Sequence, residues 1–224
     1  MFGADGSALE RARAYEFLAG IFLKEPTAEV FKPIKDWAES IEGEIGLRAL
    51  LKQIEEKDPS LEFLIQEYYD LFFVPVSGRF VPPFEAAICG ASREEGKKIR
   101  FGSFWGSETV QISEIYERIE FRPKELDIFE PLKQMNMPDH IGFELSALAY
   151  LCQVEENLVK NQSLEAVRNL EKTLLNKHLN RWLPLLKEDL ERVESTGIYT
   201  FFVQLACDFC EEEERVLVAD LVIG

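Results

Sequence analysis

The sequence predicts an all-α protein: one compact helical domain spanning residues 1–224. Three observations carry this. Apolar residues recur at helical spacing along most of the chain. No two apolar stretches are joined by hairpin-turn chemistry. No internal repeat and no low-complexity tract is present. A chain of 224 residues, 46% of them hydrophobic, can bury a sizeable core without a metal or disulfide to hold it.

The elements follow in order. Ser7-Ala8-Leu9-Glu10 reads as a capping box, and Leu9, Tyr15, Leu18, Ala19 and Phe22 recur behind it. Pro26-Thr27 ends that helix, and Thr27 caps a second one carrying Phe31, Ile34, Trp37 and Ile41. A third runs near Glu44 to Lys57 and stops at Asp58-Pro59-Ser60. A fourth begins near Leu61 and enters an irregular Pro-rich loop at about 73–84, where three prolines and Gly78 forbid a regular element. After a Gly-rich polar loop, "GKKIRFGSFWGSE", a helix is expected from Glu108 to Phe121, then a loop from Arg122 to Pro138. The next helix opens at Asp139. The last two are expected at Ser163 to Glu194, bent at Pro184, and at Ile198 to Val216.

Charge narrows the function. The formal net charge is −16. Such a surface repels phosphate backbones and argues against a nucleic-acid partner, while it attracts basic ones. The N-terminal segment lacks a basic region followed by an apolar core, and charges interrupt every apolar run well short of the ~20 residues a membrane span needs. A soluble, intracellular protein is expected. Cys207-Asp208-Phe209-Cys210 is a lone C-x-x-C on a helix shared with Phe202, Val203 and Ala206. It reads as core thiols, since a structural zinc would need a second pair of ligands.

No P-loop, no dinucleotide fingerprint, no H-E-x-x-H and no G-x-S-x-G is present. What stands out is "NMPDHIGFELSALAYL", residues 136–151, which places Asp139 and His140 directly before an apolar run. Helix capping accounts for Asp139. It does not account for His140, one of two histidines in the chain, or for Glu144 one turn later.

Two more stretches complete a constellation. Tyr68-x-x-Leu71-Phe72 leads to Pro75 and then to Val81-Pro82-Pro83-Phe84-Glu85. His178-Leu179-x-x-Trp182-Leu183-Pro184 follows later, and His178 and Trp182 are expected to form a structural clasp. In order, these motifs resemble the TorD/DmsD/NarJ family of chaperones that mature molybdenum-containing oxidoreductases. Val74 replaces the family's glycine before the proline, Phe73 is an extra aromatic, Asp70 stands where a basic residue is common, and Ala86 replaces a serine.

The resemblance implies a TorD-like helical bundle and a cytoplasmic binding protein rather than an enzyme, with no cofactor or metal of its own. Its implied partners are the twin-arginine leader peptide and the apo catalytic subunit of a molybdoenzyme, with no stable membrane insertion. Such a receptor needs carboxylate acceptors beside an apolar groove. Asp139, His140, Glu144 and Glu85 are expected as the polar contacts, with Asp70 beside them, and Tyr68, Leu71, Phe72 and Phe84 as the wall. Three rival readings compete. One is a hydrolase or metal-dependent enzyme using Asp139, His140 and Glu144. Another is a nucleotide-binding regulator, for which the only glycine–lysine loop, "GASREEGKK", has its residues in the wrong arrangement. The third is a permanent subunit of a redox complex. Either a monomer or a dimer swapped through the 122–138 loop fits the sequence.

Overall fold

The structure is a computed structural model and describes residues 6–40, 45–57, 62–158, 163–194 and 196–223. Its helices are α1 (Ala8–Leu23), α2 (Ala28–Glu39), α3 (Ile45–Lys57), α4 (Glu62–Phe72), α5 (Glu85–Cys89), α6 (Ser107–Arg118), α7 (Glu130–Met135), α8 (Ile141–Glu156), α9 (Leu164–Leu174), α10 (Asn180–Glu191) and α11 (Ile198–Ile223). Among the described residues the only β pairing is two isolated bridges, Phe84 with His140 and Ser92 with Arg100. The all-α reading holds.

The local signals act as expected at the start of the chain. Ser7 Oγ accepts from the Glu10 N–H at 3.3 Å and Glu10 Oε2 from the Ser7 N–H at 2.8 Å, closing the capping box. Thr27 Oγ1 accepts from the Val30 N–H at 3.4 Å and opens α2. Glu44, Leu61 and the expected stop at Asp58-Pro59-Ser60 lie outside the described residues. The Pro-rich loop is irregular as expected. Val81 N–H binds the Leu71 carbonyl at 2.7 Å, and Gly78 sits at φ 81°, a conformation natural for glycine.

Three expectations are corrected. The stretch from Arg122 to Pro138 is not all loop: it holds a 3₁₀ turn, Pro123–Glu125, and α7. The helix-start signal was present in Glu130-Pro131, since proline suits the first helical turn. Asn136 ends α7 in the left-handed conformation. The long helix after Ser163 departs from regularity at Leu175–Leu179, which forms a π turn, one turn ahead of Pro184. Pro184 has no N–H to offer the Asn180 carbonyl, and the widened turn lies immediately before it. α11 also runs on to Ile223, beyond the expected end at Val216.

α1 and α8 cross at the centre. Gly142 permits the approach: a Cβ there would come within 2.4 Å of Leu23 Cγ. α8 is buried on nearly every face, through Ile141, Phe143, Leu145, Leu148 and Leu151, which is why its sequence reads as one apolar run. An ionic knot joins α1, α8, α9 and α11. The buried Arg11 lies 2.8 Å from Glu155, 3.2 Å from Glu171 and 3.5 Å from Glu213. Glu194 opens α11 by accepting the Tyr199 and Thr200 N–H groups at 2.7 and 2.8 Å. Cys207 and Cys210 are buried core thiols. Burial pushes Cys207 up to about 12, so the thiolate needed for metal or redox chemistry is disfavoured.

Candidate functional site

The sequence motifs meet at one place. Residues 83–86 lie against 139–141: Glu85 N–H donates to the Asp139 carbonyl at 2.9 Å, and Ile141 N–H to the Pro83 carbonyl at 3.0 Å. Asp139 Oδ2 accepts from the Ala86 N–H at 3.0 Å and lies 3.1 Å from the Thr109 hydroxyl. Asp139 is therefore a cap, but of α5 across the fold, not of the helix that follows it. His140 caps α8 instead, its Nδ1 accepting from the Gly142 N–H at 3.1 Å. Its ring lies 5.2 Å from Phe84 and 5.3 Å from Phe143.

His178 is hydrogen-bonded inside as expected, but His178 and Trp182 each hold a different acid. His178 Nδ1 is 2.7 Å from Glu85 Oε2, and Trp182 Nε1–H donates to Glu144 Oε2 at 3.2 Å. The π turn carries His178, and α10 carries Trp182. One helical strut thereby fastens α5 to α8.

Electrostatics follow from burial. Asp139 is pushed up to about 6, chiefly by desolvation and against its bond from the Ala86 N–H. Glu144 is held well above the usual carboxylate range, by burial first and by the nearby Glu85 charge. Burial brings His140 down to about 3, so its imidazole stays neutral at pH 7. One oxygen each of Glu85, Asp139 and Glu144 has no hydrogen-bond partner.

All eight expected site residues lie inside. Glu85, Asp139 and Glu144 are 0% exposed, His140 and Phe84 1%, Tyr68 and Leu71 0%, and Phe72 3%. Tyr68 donates to the Phe22 carbonyl at 3.1 Å and sits among Phe72, Phe73, Phe129 and Tyr199. Asp70 pairs with Gln66 at 2.8 Å and with Arg79 at 3.7 Å. In this conformation none of the eight meets a peptide directly. The acid–histidine–acid set is equally closed to a substrate, and among the described residues no group of His, Cys, Asp and Glu could hold a metal. The "GASREEGKK" segment runs into the Ser92–Arg100 bridge and not into a helix.

Beside this frame the surface opens. A cleft of about 740 Å³ lies between α6, the 3₁₀ turn, α7 and residues 136–143. Tyr116, Phe121, Leu132, Met137, Pro138 and Phe143 give it an apolar lining. Glu117, Glu120 and Glu125 stand on it as exposed acids. Trp105, also lining it, is 60% exposed, unusual for so large an aromatic. Met137, Pro138 and Phe143 come from the Asp139–His140 motif itself. The Tyr116 hydroxyl ties the cleft to that motif by donating to the Pro138 carbonyl at 3.1 Å. Sequence reasoning missed Trp105, Glu117, Glu120, Phe121 and Leu132. Only Trp105, set in a Gly-rich polar loop, carried a signal.

The chain matches the family profile described as nitrate reductase delta subunit over residues 33–188, well over half its length. It is also similar to the chaperone protein TorD of Vibrio cholerae serotype O1, with 24% identity over 86 residues. That match covers 38% of this chain and spans 39% of that protein's length. No solved structure matches the chain significantly. With the profile spanning the Pro-rich loop, the Asp139–His140 motif and the His178–Trp182 stretch, the chain belongs to the nitrate reductase delta subunit (NarJ/TorD) family.

Proposed function

We propose that this protein is a cytoplasmic chaperone that holds the twin-arginine leader of a molybdoenzyme catalytic subunit in the 740 Å³ cleft while the cofactor is inserted. The observation that carries the reading is the cleft's construction. Its wall is the segment flanking Asp139 and His140, and it combines an apolar floor with exposed acids. A leader with two guanidinium groups ahead of an apolar, helix-prone segment complements both. The volume falls within the range of roughly 300–1,000 Å³ usual for ligand clefts. Asp139, His140, Glu144, Glu85, Tyr68, Leu71, Phe72 and Phe84 then act as the frame that fixes the wall.

Each charge-assisted hydrogen bond contributes ~1.5–3 kcal/mol, so two arginines supply a factor of about 10² to 10⁴. Ordering a flexible peptide opposes this by several kcal/mol. A dissociation constant around micromolar follows, weak enough for release.

The test is a fluorescence titration with labelled leaders of molybdoenzymes from the same genome, each against a version with both arginines changed to lysine. Trp105→Ala is the matched variant, because a side chain this exposed contributes little to folding. The expected result is saturable binding of one leader, weakened about 10-fold by either change, with the melting temperature of Trp105→Ala unaltered. Absence of binding by every leader, or equal binding by Trp105→Ala, would sink the proposal. Binding that ignores the arginines but needs the apolar segment would mean the cleft grips the mature subunit.

A further inference from the structure

Five described residues have positive φ values in the left-handed region: Gly78, Gly96, Gly197, Asn136 and Glu120. Three are glycine, which adopts that region freely, and asparagine is the next most tolerant residue. Conformation alone explains those four. It does not explain glutamate at φ 58°.

The turn itself has a clear purpose. α6 ends at Arg118 and is capped by Ile119, whose N–H binds the Ile115 carbonyl at 3.1 Å. Phe121 N–H then returns to the Tyr116 carbonyl at 3.0 Å. This is a Schellman ending, whose left-handed position ordinarily takes glycine. It swings Phe121 back against Tyr116, ring centroids 4.9 Å apart, and so builds the cleft floor. Glycine at position 120 would build the same turn with less strain.

Charge is the second objection to glutamate there. The C-terminal end of α6 carries the negative pole of the helix dipole, which disfavours an acid and favours a cation. Glu117 already lies in that last turn. Of the basic groups lining this cleft, Arg122 is engaged with Glu125 at 3.3 Å, and Lys124 and Lys133 complete the set. Position 120 thus combines an unfavourable backbone with an unfavourable charge, and its side chain lines the cleft. Both the dipole and the carboxylates would be satisfied by one ligand: a cation laid across the end of α6.

We infer that Glu120, with Glu117 beside it, is a specificity-determining residue of the cleft that receives an arginine side chain of the bound peptide at the C-terminal end of α6. The inference rests on the leader-binding reading and adds where an arginine is read. The left-handed turn aims the carboxylate, and the apolar segment of the peptide continues over Phe121 and Leu132. A guanidinium suits this place because its N–H fork matches the Glu120 and Glu117 carboxylates and its charge complements the negative end of α6.

The experiment compares wild type with Glu120→Gly and Glu120→Asn. Each is titrated with the leader that wild type binds and with versions changing the first or the second arginine to glutamine. Both variants keep a residue tolerant of the turn and remove the charge. Glu120→Gly should melt about 2–4 °C higher than wild type, while both bind the native leader ~10-fold more weakly. Against one of the two glutamine leaders that loss should vanish, the coupling expected of a direct pair. If wild type binds the leader and Glu120→Gly binds it as tightly, this assignment is wrong and the cleft reading stands. An equal loss against all three leaders would also overturn it, by showing a general effect on the cleft. If wild type binds no leader, both fail together.

Discussion

Asp139 shows how one side chain can be read correctly as a cap and still be placed on the wrong helix. Its carboxylate closes the start of α5, a helix distant in sequence, through the Ala86 N–H and beside the Thr109 hydroxyl. Removing it strands a buried donor. Asp139→Ala should therefore lower the unfolding free energy by about 1–3 kcal/mol, measured by urea denaturation. Asp139→Asn, which keeps an acceptor and removes a buried charge, should stay within ~1 kcal/mol of wild type. Equal losses for the two would mean that ionisation, and not acceptance of these bonds, is what Asp139 supplies. Asp139, His140 and Glu144 were legible as unusual because of residue type and spacing. Their burial was not, because Ala86, Thr109 and Trp182, which satisfy two of them, arrive from other parts of the chain.

At the scale of elements, the crossing of α1 and α8 depends on Gly142, the glycine within the same motif. A side chain there meets Leu23 Cγ at 2.4 Å, and Leu23 is itself buried. Gly142→Ala should destabilise by about 1–3 kcal/mol despite alanine's better helix propensity. Combining it with Leu23→Ala should recover part of that loss, with a coupling of about 0.5–3 kcal/mol in a double-mutant cycle. Strict additivity would show that the helices do not press together at this point. α7 was missed at the same scale: it has six residues, too short for hydrophobic periodicity to register. Its proline start and asparagine end were the available cues. The π turn was likewise hidden, since a widened turn leaves no composition of its own.

For the whole molecule, the buried acids set the pH dependence. Burial pushes Glu171 and Glu213 up to about 7, with the Arg11 charge opposing it, and Asp139 up to about 6. An acid whose folded pKa is raised binds its proton more tightly when folded. The penalty is fully present above pH 7 and is relieved as pH falls towards the unfolded values, near 4 for carboxylates. His140 pulls the other way: held at about 3, it forfeits stability as pH falls below its unfolded value of about 6.5. Several acids outweigh one histidine, and acidification also relieves the self-repulsion of a −16 chain. Urea midpoints should rise between pH 8 and about pH 5.5. A midpoint that falls over that interval would show that Arg11 keeps Glu171 and Glu213 ionised throughout.

The sequence by itself determined the helical class, the capping box, the irregular Pro-rich loop and the family, because these depend on periodicity, local hydrogen bonding and ordered short motifs. That His178 and Trp182 matter structurally was legible from their place one turn apart on one helix, but not the separate acids that each of them holds. Tertiary structure alone decided which acids are buried and which stand free. Glu85, Asp139 and Glu144 are drawn inside by donors from three other segments, whereas Glu117 and Glu120 remain on a cleft wall. A carboxylate's charge is written in its residue type. Its solvent exposure depends on what folds over it, and that set of neighbours exists only once α5, α8 and α10 have met.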